Sequence, residues 1–195
     1  RDFGGRCNNY GEFIERVRAE LIPYYDKFPP PPDDYRTLRY FEEAALSYIG
    51  YAEIFDHFKP VTHNGQPVIE TYFEFPLGEV KFDSTYNGRR YGVIKVIWTG
   101  RIDMGIEFED PATDPGSAWV MDHKSKTILG ANFFAEFENS SPALGYTWAM
   151  QELIGREVKG LYLNAIALRR PSKTGVQFEV QRKRYPYDPE RLTEW

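Results

Sequence analysis

Two carboxylates interrupt runs that otherwise read as core strands: Asp103 in "WTGRIDMGIEF" and Asp122 in "WVMDHKSKT". An unpaired carboxylate inside an apolar strand is costly to bury, so each position calls for a reason. Lys124 follows Asp122 by two residues, and on a strand that spacing puts both side chains on one face. A face carrying Asp103, Asp122 and Lys124 would gather two hard oxygen ligands and one cation. That set suits Mg2+-assisted hydrolysis of a phosphodiester: carboxylates hold the ion, the ion polarises phosphate and acidifies water, and the lysine sits near the attacking water or the phosphate. The same residues admit a plainer reading, with Asp122 and Lys124 a same-face ion pair at a sheet edge and Asp103 a turn residue.

The elements that must position these groups follow from periodicity. Residues 10–28 space Phe13, Ile14, Val17 and Leu21 as a helix, which Pro23 is expected to end or bend. Pro29 to Pro32 read as a stiff extended connector. Asp33 and Asp34 suit the start of a second helix, whose apolar stripe from Leu38 to Phe55 predicts a span of about Tyr35 to Phe58, with His57 at its C-terminal end. Asn64-Gly65 signals a turn, after which the period becomes two. "VIETYFEFPL" alternates with Glu70 and Glu74 on one face; "YGVIKVIWTG" and "RIDMGIEFED" read as two strands parted near Thr99-Gly100. The turn-rich "DPATDPGS" leads into "AWVMDHKS". Residues 142–154 read as a helix with Pro142 in its first turn and Gly155 past its end. "VKGLYLNAIAL" suits a strand covered on both faces, and "GVQFEVQRKRY" a half-exposed edge. The order is α, β, β, β, α, β, β: an α/β or α+β chain with a mixed central sheet flanked by helices.

Composition sets the bounds. The 195 residues are 42% hydrophobic and 27% charged, so the chain is globular and large enough for one domain with a helical extension. Aromatics reach 16%, which serves β-rich packing and also stacking on bases. One cysteine, Cys7, leaves no internal disulfide and no four-cysteine zinc or iron–sulfur site within these residues. No apolar run is long enough to span a bilayer and no signal-peptide pattern opens the sequence, so a cytoplasmic, intracellular setting with no membrane partner is expected. The chain begins without Met and stops at "LTEW", as a piece of a longer protein would. Net charge is −5, yet basic residues cluster at Arg89-Arg90, at Arg169-Arg170 with Lys173, and at Arg182 to Arg184. An acidic protein can still grip phosphate through one basic stripe; solvated strand ends explain each cluster as well. No nucleophile elbow or Gly-rich phosphate loop occurs.

"GRIDMGI" followed by "WVMDHKSK" resembles the second and third motifs of the PD-(D/E)XK nuclease superfamily, a G-x-x-D strand followed by a (D/E)-x-K strand. The flavour is that of the RecB-type and phage-encoded exonuclease group without its iron–sulfur cluster, and the resemblance covers roughly residues 35–185. It implies a restriction-endonuclease-like αβββαβ core, an N-terminal helix and Pro-rich connector over 1–32, and a nuclease-like domain over 33–195. It implies Asp103 and Asp122 as metal ligands, the backbone carbonyl of His123 completing the site with its ring incidental, and Lys124 as the catalytic lysine. Glu70 resembles the acid that this group places near the metal, with Glu74 its rival. The cofactor implied is Mg2+ or Mn2+. The partner implied is DNA, single-stranded or as duplex ends, alongside a helicase or recombination partner. Tyr146, Ser125 and Lys126 are candidate DNA contacts; core packing for Tyr146 and strand-end polarity for the other two are the plainer accounts. The sequence departs from the group where a Gln is usual four residues before the helix Tyr: Pro142 stands there. The expected activity is that of a metal-dependent DNA nuclease in recombination, repair or phage DNA processing, the alternative being a catalytically silent nuclease-fold binding or scaffold module.

Overall fold

The computed structural model describes residues 9–109, 116–130, 132–138, 140–173 and 175–194. Cys7 and most of the "DPATDPGS" loop lie outside the described residues, as do the side chains of Arg89 and Arg90. The protein is a mixed α/β chain whose principal sheet has six strands, and the chain divides into two compact units.

The first unit comprises Arg1–Asp56, Lys124–Gly130 and Ala165–Gln181. Helix α1 (Tyr10–Lys27) starts where the Asn9 side chain accepts the Glu12 N–H at 2.9 Å, satisfying an otherwise orphaned first-turn donor. Pro23 sits inside this helix and does not end it. Helix α2 (Leu38–Phe55) matches its apolar stripe and is shorter than the expected span of Tyr35 to Phe58. Its cap is Thr37, whose hydroxyl accepts the Tyr40 N–H, and not Asp33 or Asp34. Asp34 is occupied otherwise: it accepts the Arg36 N–H and pairs with the Arg36 guanidinium at 2.6 Å. Those hydrogen bonds hold its carboxyl down at about 2. The two helices are tied by Arg18, which offers Nε and Nη2 to the two carboxylate oxygens of Glu42. Tyr40 donates its hydroxyl to the carbonyl of Arg169, and Tyr48 and Tyr51 stand edge-on to Phe178.

The second unit comprises His57–His123, Ala131–Asn164 and Arg182–Trp195. It begins with β1 (Phe58–Pro60), then a small hairpin of β2 (Thr62–His63) and β3 (Gln66–Pro67). The expected turn lies between these last two, with Asn64 and Gly65 both at positive φ, the signature of a type I′ turn. His57 lies beyond the end of α2, and its carbonyl accepts the Glu109 N–H at 3.0 Å. Two long antiparallel strands follow, β4 (Ile69–Tyr86) and β5 (Arg89–Phe108), joined through Asn87-Gly88. The two runs that the sequence parts at Gly100 are thus one strand. Gly100 serves packing there: a Cβ would meet the Phe73 ring at 2.5 Å.

Next come β6 (Ala118–Lys126), the short α3 (Ala135–Glu138), α4 (Ser141–Ile154), β7 (Val158–Ser172), β8 (Gly175–Pro186) and α5 (Pro189–Glu194). Helix α4 is capped by the Ser140 hydroxyl and closed by Gly155 at φ 66, as its sequence predicts. The sheet runs β1-β5-β6-β7-β8, with β4 also on β5, so β8 is an edge as expected. The registered pairs of β5 with β1, β4 and β6 are all antiparallel. Alternate residues of β5 and β6 form the core: Ile106, Phe108, Trp119 and Met121 pack together with Phe58 and Tyr162 against them. Helix α4 lays Trp148 against Phe75 and Trp98, and Tyr146 edge-on to Phe73. Among the described residues, no helix is long and apolar enough to cross a membrane.

Candidate functional site

The register of β5 against β6 decides where the acids go. Met104 stands opposite Met121 and Ile106 opposite Trp119, and those side chains face the core. One step on, the same register sets Asp103 abreast of Asp122 on the other face, with β-carbons about 5 Å apart in such a ladder. Asp103 therefore lies within a strand and is not a turn residue. Asp122 is buried, at 7% exposure, and Asp103 is half-buried. One carboxylate oxygen of Asp103 accepts the backbone N–H of His123 at 3.0 Å, which holds the two strands' acidic ends together. Like charges directly opposite one another cost a sheet stability unless other groups offset them.

Ile69 pairs with Met104 and Thr71 with Ile102, which places the backbone of Glu70 on β4 across from Asp103. Glu70 breaks the pleat, however, with φ at 48, a left-handed conformation that costs a non-glycine residue about 1–2 kcal/mol. Its carboxylate is exposed and lies 3.6 Å from the Arg101 guanidinium. Glu74 is also exposed and accepts the Tyr72 hydroxyl at 3.2 Å. Among the described residues, no three His, Cys, Asp or Glu side chains are grouped so that they could hold a metal ion. The carboxylates that register brings together are Asp103 and Asp122.

His123 has a structural partner that sequence reasoning overlooked. Its Nδ1 lies 2.8 Å from the amide nitrogen of Asn164, a fully buried residue of β7. The other end of that amide accepts Arg182 Nε at 2.8 Å. Arginine can only donate, so the Asn164 oxygen must face it and the amide NH2 must face the imidazole. Nδ1 of His123 is then the acceptor, and its ring proton sits on Nε2. The ring is thus held by a buried amide. The signal in sequence was an Asn inside "GLYLNAIAL", a buried amide that demands partners.

The remaining expected residues fall in two places. Tyr146 packs half-buried in the aromatic cluster with Phe73, its ring near Gly100. Lys124 opens the second stretch of the first unit, two residues beyond Asp122 on the same strand. Ser125 and Lys126 follow it and line a cleft of about 230 Å³ with Thr127, Tyr35, Arg36 and Tyr40, all within that unit.

No protein-family profile matches the chain, and no curated protein matches it. A solved structure described as "Crystal structure of SSO0001" is similar over 93% of this chain and 68% of its own, at 13% identity and a TM-score of 0.31. A likeness at that score carries neither a fold family nor an activity to this chain.

Proposed function

We propose that the chain is a metal-dependent nuclease of the PD-(D/E)XK type, built on a restriction-endonuclease-like core. The observation that carries this reading is the register that sets Asp103 abreast of Asp122 on adjacent strands, with Asp122 buried. The strand succession β4, β5, β6, then helix α4, then β7 supports the core assignment. The donor set suits Mg2+ or Mn2+: two hard carboxylate oxygens from the aspartates, with the carbonyl of His123 as a third oxygen. When bound, such an ion polarises the phosphate and supplies hydroxide at neutral pH.

The chain's own residues do the rest in this reading. Asp103 and Asp122 hold the oxygen-ligand geometry, and the His123 N–H fixes the rotamer of Asp103. The Asn164 amide and Arg182 anchor the strand at His123 from the other side of that residue. Lys124, whose place rests on its spacing from Asp122, neutralises charge developing on the phosphate oxygens. Glu70 is an outer acid that reaches the site only by leaving Arg101.

The test is cleavage of single-stranded, linear duplex and circular DNA with Mg2+, Mn2+ or EDTA. Metal-dependent cutting that falls at least about 100-fold in Asp122→Ala and Lys124→Ala is the expected result. Cutting that persists in either variant sinks the mechanism. No cutting with any metal leaves the chain as a nuclease-fold binding module.

A further inference from the structure

The first unit carries two neighbouring clefts that the catalytic reading does not use. One, of about 230 Å³, is lined by Ser125, Lys126 and Thr127 with Tyr35. The other, of about 330 Å³, is lined by Tyr24, Phe28 and the prolines 29–31. Both include Arg36 and Phe41, so the two adjoin, and Asp34, paired with Arg36, also lines the second. Tyr24 and Phe28 are 61% and 55% exposed, a high cost for apolar rings with nothing to do. Their centroids lie 5.4 Å apart, one helical turn from Tyr24 to Phe28. Each end of the path pairs a ring with a cation: Lys27 lies 5.2 Å from the Phe28 centroid and Arg170 5.5 Å from that of Tyr35. The prolines hold the wall stiff without offering backbone donors, so the floor favours flat, apolar faces over hydrogen-bonded readout.

We infer that this path is a single-stranded nucleic-acid groove, in which bases stack on Tyr24, Phe28 and Tyr35 while Lys126 and Arg170 neutralise phosphates. Exposed rings interleaved with cations are what a sequence-tolerant single-strand site requires. A duplex keeps its bases stacked on one another and offers the rings nothing. The cations matter more because the whole chain carries a net charge of −5, so attraction to a polyanion has to be local. In the chain, Ser125 to Thr127 directly follow Lys124, which ties one end of the groove to the strand of the proposed lysine. The choice of nucleic acid as ligand rests on the nuclease reading above.

The experiment is fluorescence anisotropy of labelled oligo(dT) of about 16 nucleotides, near the upper end of single-strand sites, with the full chain in EDTA. The expected result is binding that weakens at least about 5-fold per ring removed in Tyr24→Ala/Phe28→Ala, with an unchanged circular dichroism spectrum. Tyr24→Trp/Phe28→Tyr, which keeps both rings, retains the affinity. Lys126→Ala lowers the slope of log affinity against log salt by about 0.7. Equal binding by the ring-deleted and wild-type proteins overturns the inference, as does tighter, ring-independent binding of a blunt duplex. Because the assay contains no metal, the two readings separate. Ring-dependent binding without cutting keeps the groove and removes the nuclease; metal-dependent cutting with unchanged binding and KM in Tyr24→Ala/Phe28→Ala does the reverse.

Discussion

Asn164→Ala is the substitution whose cost can be worked most directly from the structure. Asn164 is fully buried and makes two hydrogen bonds of 2.8 Å, accepting from Arg182 Nε and donating to His123 Nδ1. Losing the acceptor of a half-buried guanidinium costs about 1.5–3 kcal/mol, and losing the neutral bond to the imidazole about 1 kcal/mol. The sum is about 2.5–4 kcal/mol, before any cost of the space left in the strand. At about 2–4 °C per kcal/mol for a chain of this size, the melting temperature should fall by roughly 5–16 °C. Urea unfolding followed by circular dichroism measures the loss directly, and an unchanged m-value shows that the folded state survives. Asn164→Asp keeps an acceptor for Arg182 and loses only the donation to His123, so it should cost clearly less. A loss under about 1 kcal/mol in Asn164→Ala, or equal damage from Asp and Ala, would refute the network.

Three further outcomes follow from separate features. Glu70→Gly relieves the left-handed backbone at φ 48 and should raise stability by about 1 kcal/mol in the same urea assay, while lowering nuclease activity if the carboxylate serves the metal. Gly160→Ala should leave the protein insoluble or more than about 4 kcal/mol less stable, since φ is 150 and a Cβ would lie 2.0 Å from the Tyr185 carbonyl oxygen; soluble expression and thermal melts check it. Burial pushes the phenols of Tyr185 and Tyr187 up to about 12, and both donate to carbonyls, of Phe134 and Phe137. Unfolded tyrosine loses its proton near pH 10, so the native state then binds more protons; stability should be intact below pH 10 and fall as pH rises towards 12. Absorbance at alkaline pH should show these two phenols ionising last, in step with unfolding.

The sequence announced most of the scaffold because local chemistry and tertiary packing agree there. Ser140 and Gly155 bracket α4 as their types require, and Asn64-Gly65 makes the turn that its dipeptide demands. Misreadings came where one residue type serves two purposes. Gly100 looked like punctuation and is a gap for the Phe73 ring. Asp34 looked like a cap and is spent on Arg36, leaving Thr37 to cap. Pro23 was expected to end or bend its helix, and it does not end it. In the site, spacing could put Asp122 and Lys124 on one face, but the apposition of Asp103 and Asp122 depends on the register between two strands, which spacing along one strand does not give. The His123–Asn164–Arg182 chain joins three strands, and no single-strand pattern could assemble it.

The two-residue turn at Asn87-Gly88 has a reach out of proportion to its size. Tyr86 pairs with Arg89 across it, and from there the β4–β5 ladder runs back, with two register shifts, as far as Met104. Asp103 lies 15 residues beyond Gly88, roughly 50 Å along an extended strand. Side chains on a strand alternate faces, so the turn sets the phase in which every residue of the ribbon emerges. The two irregularities, between Pro76 and Gly78 and between Lys81 and Ser84, each place one extra residue on β4, while β5 keeps its own alternation down to Asp103. A single residue inserted at the distant turn would have to be absorbed by a third bulge, or it would slip β4 against β5 and turn the β4 side chains, Glu70 among them, to the opposite face. The ribbon is, in that sense, the ruler against which the candidate site is measured.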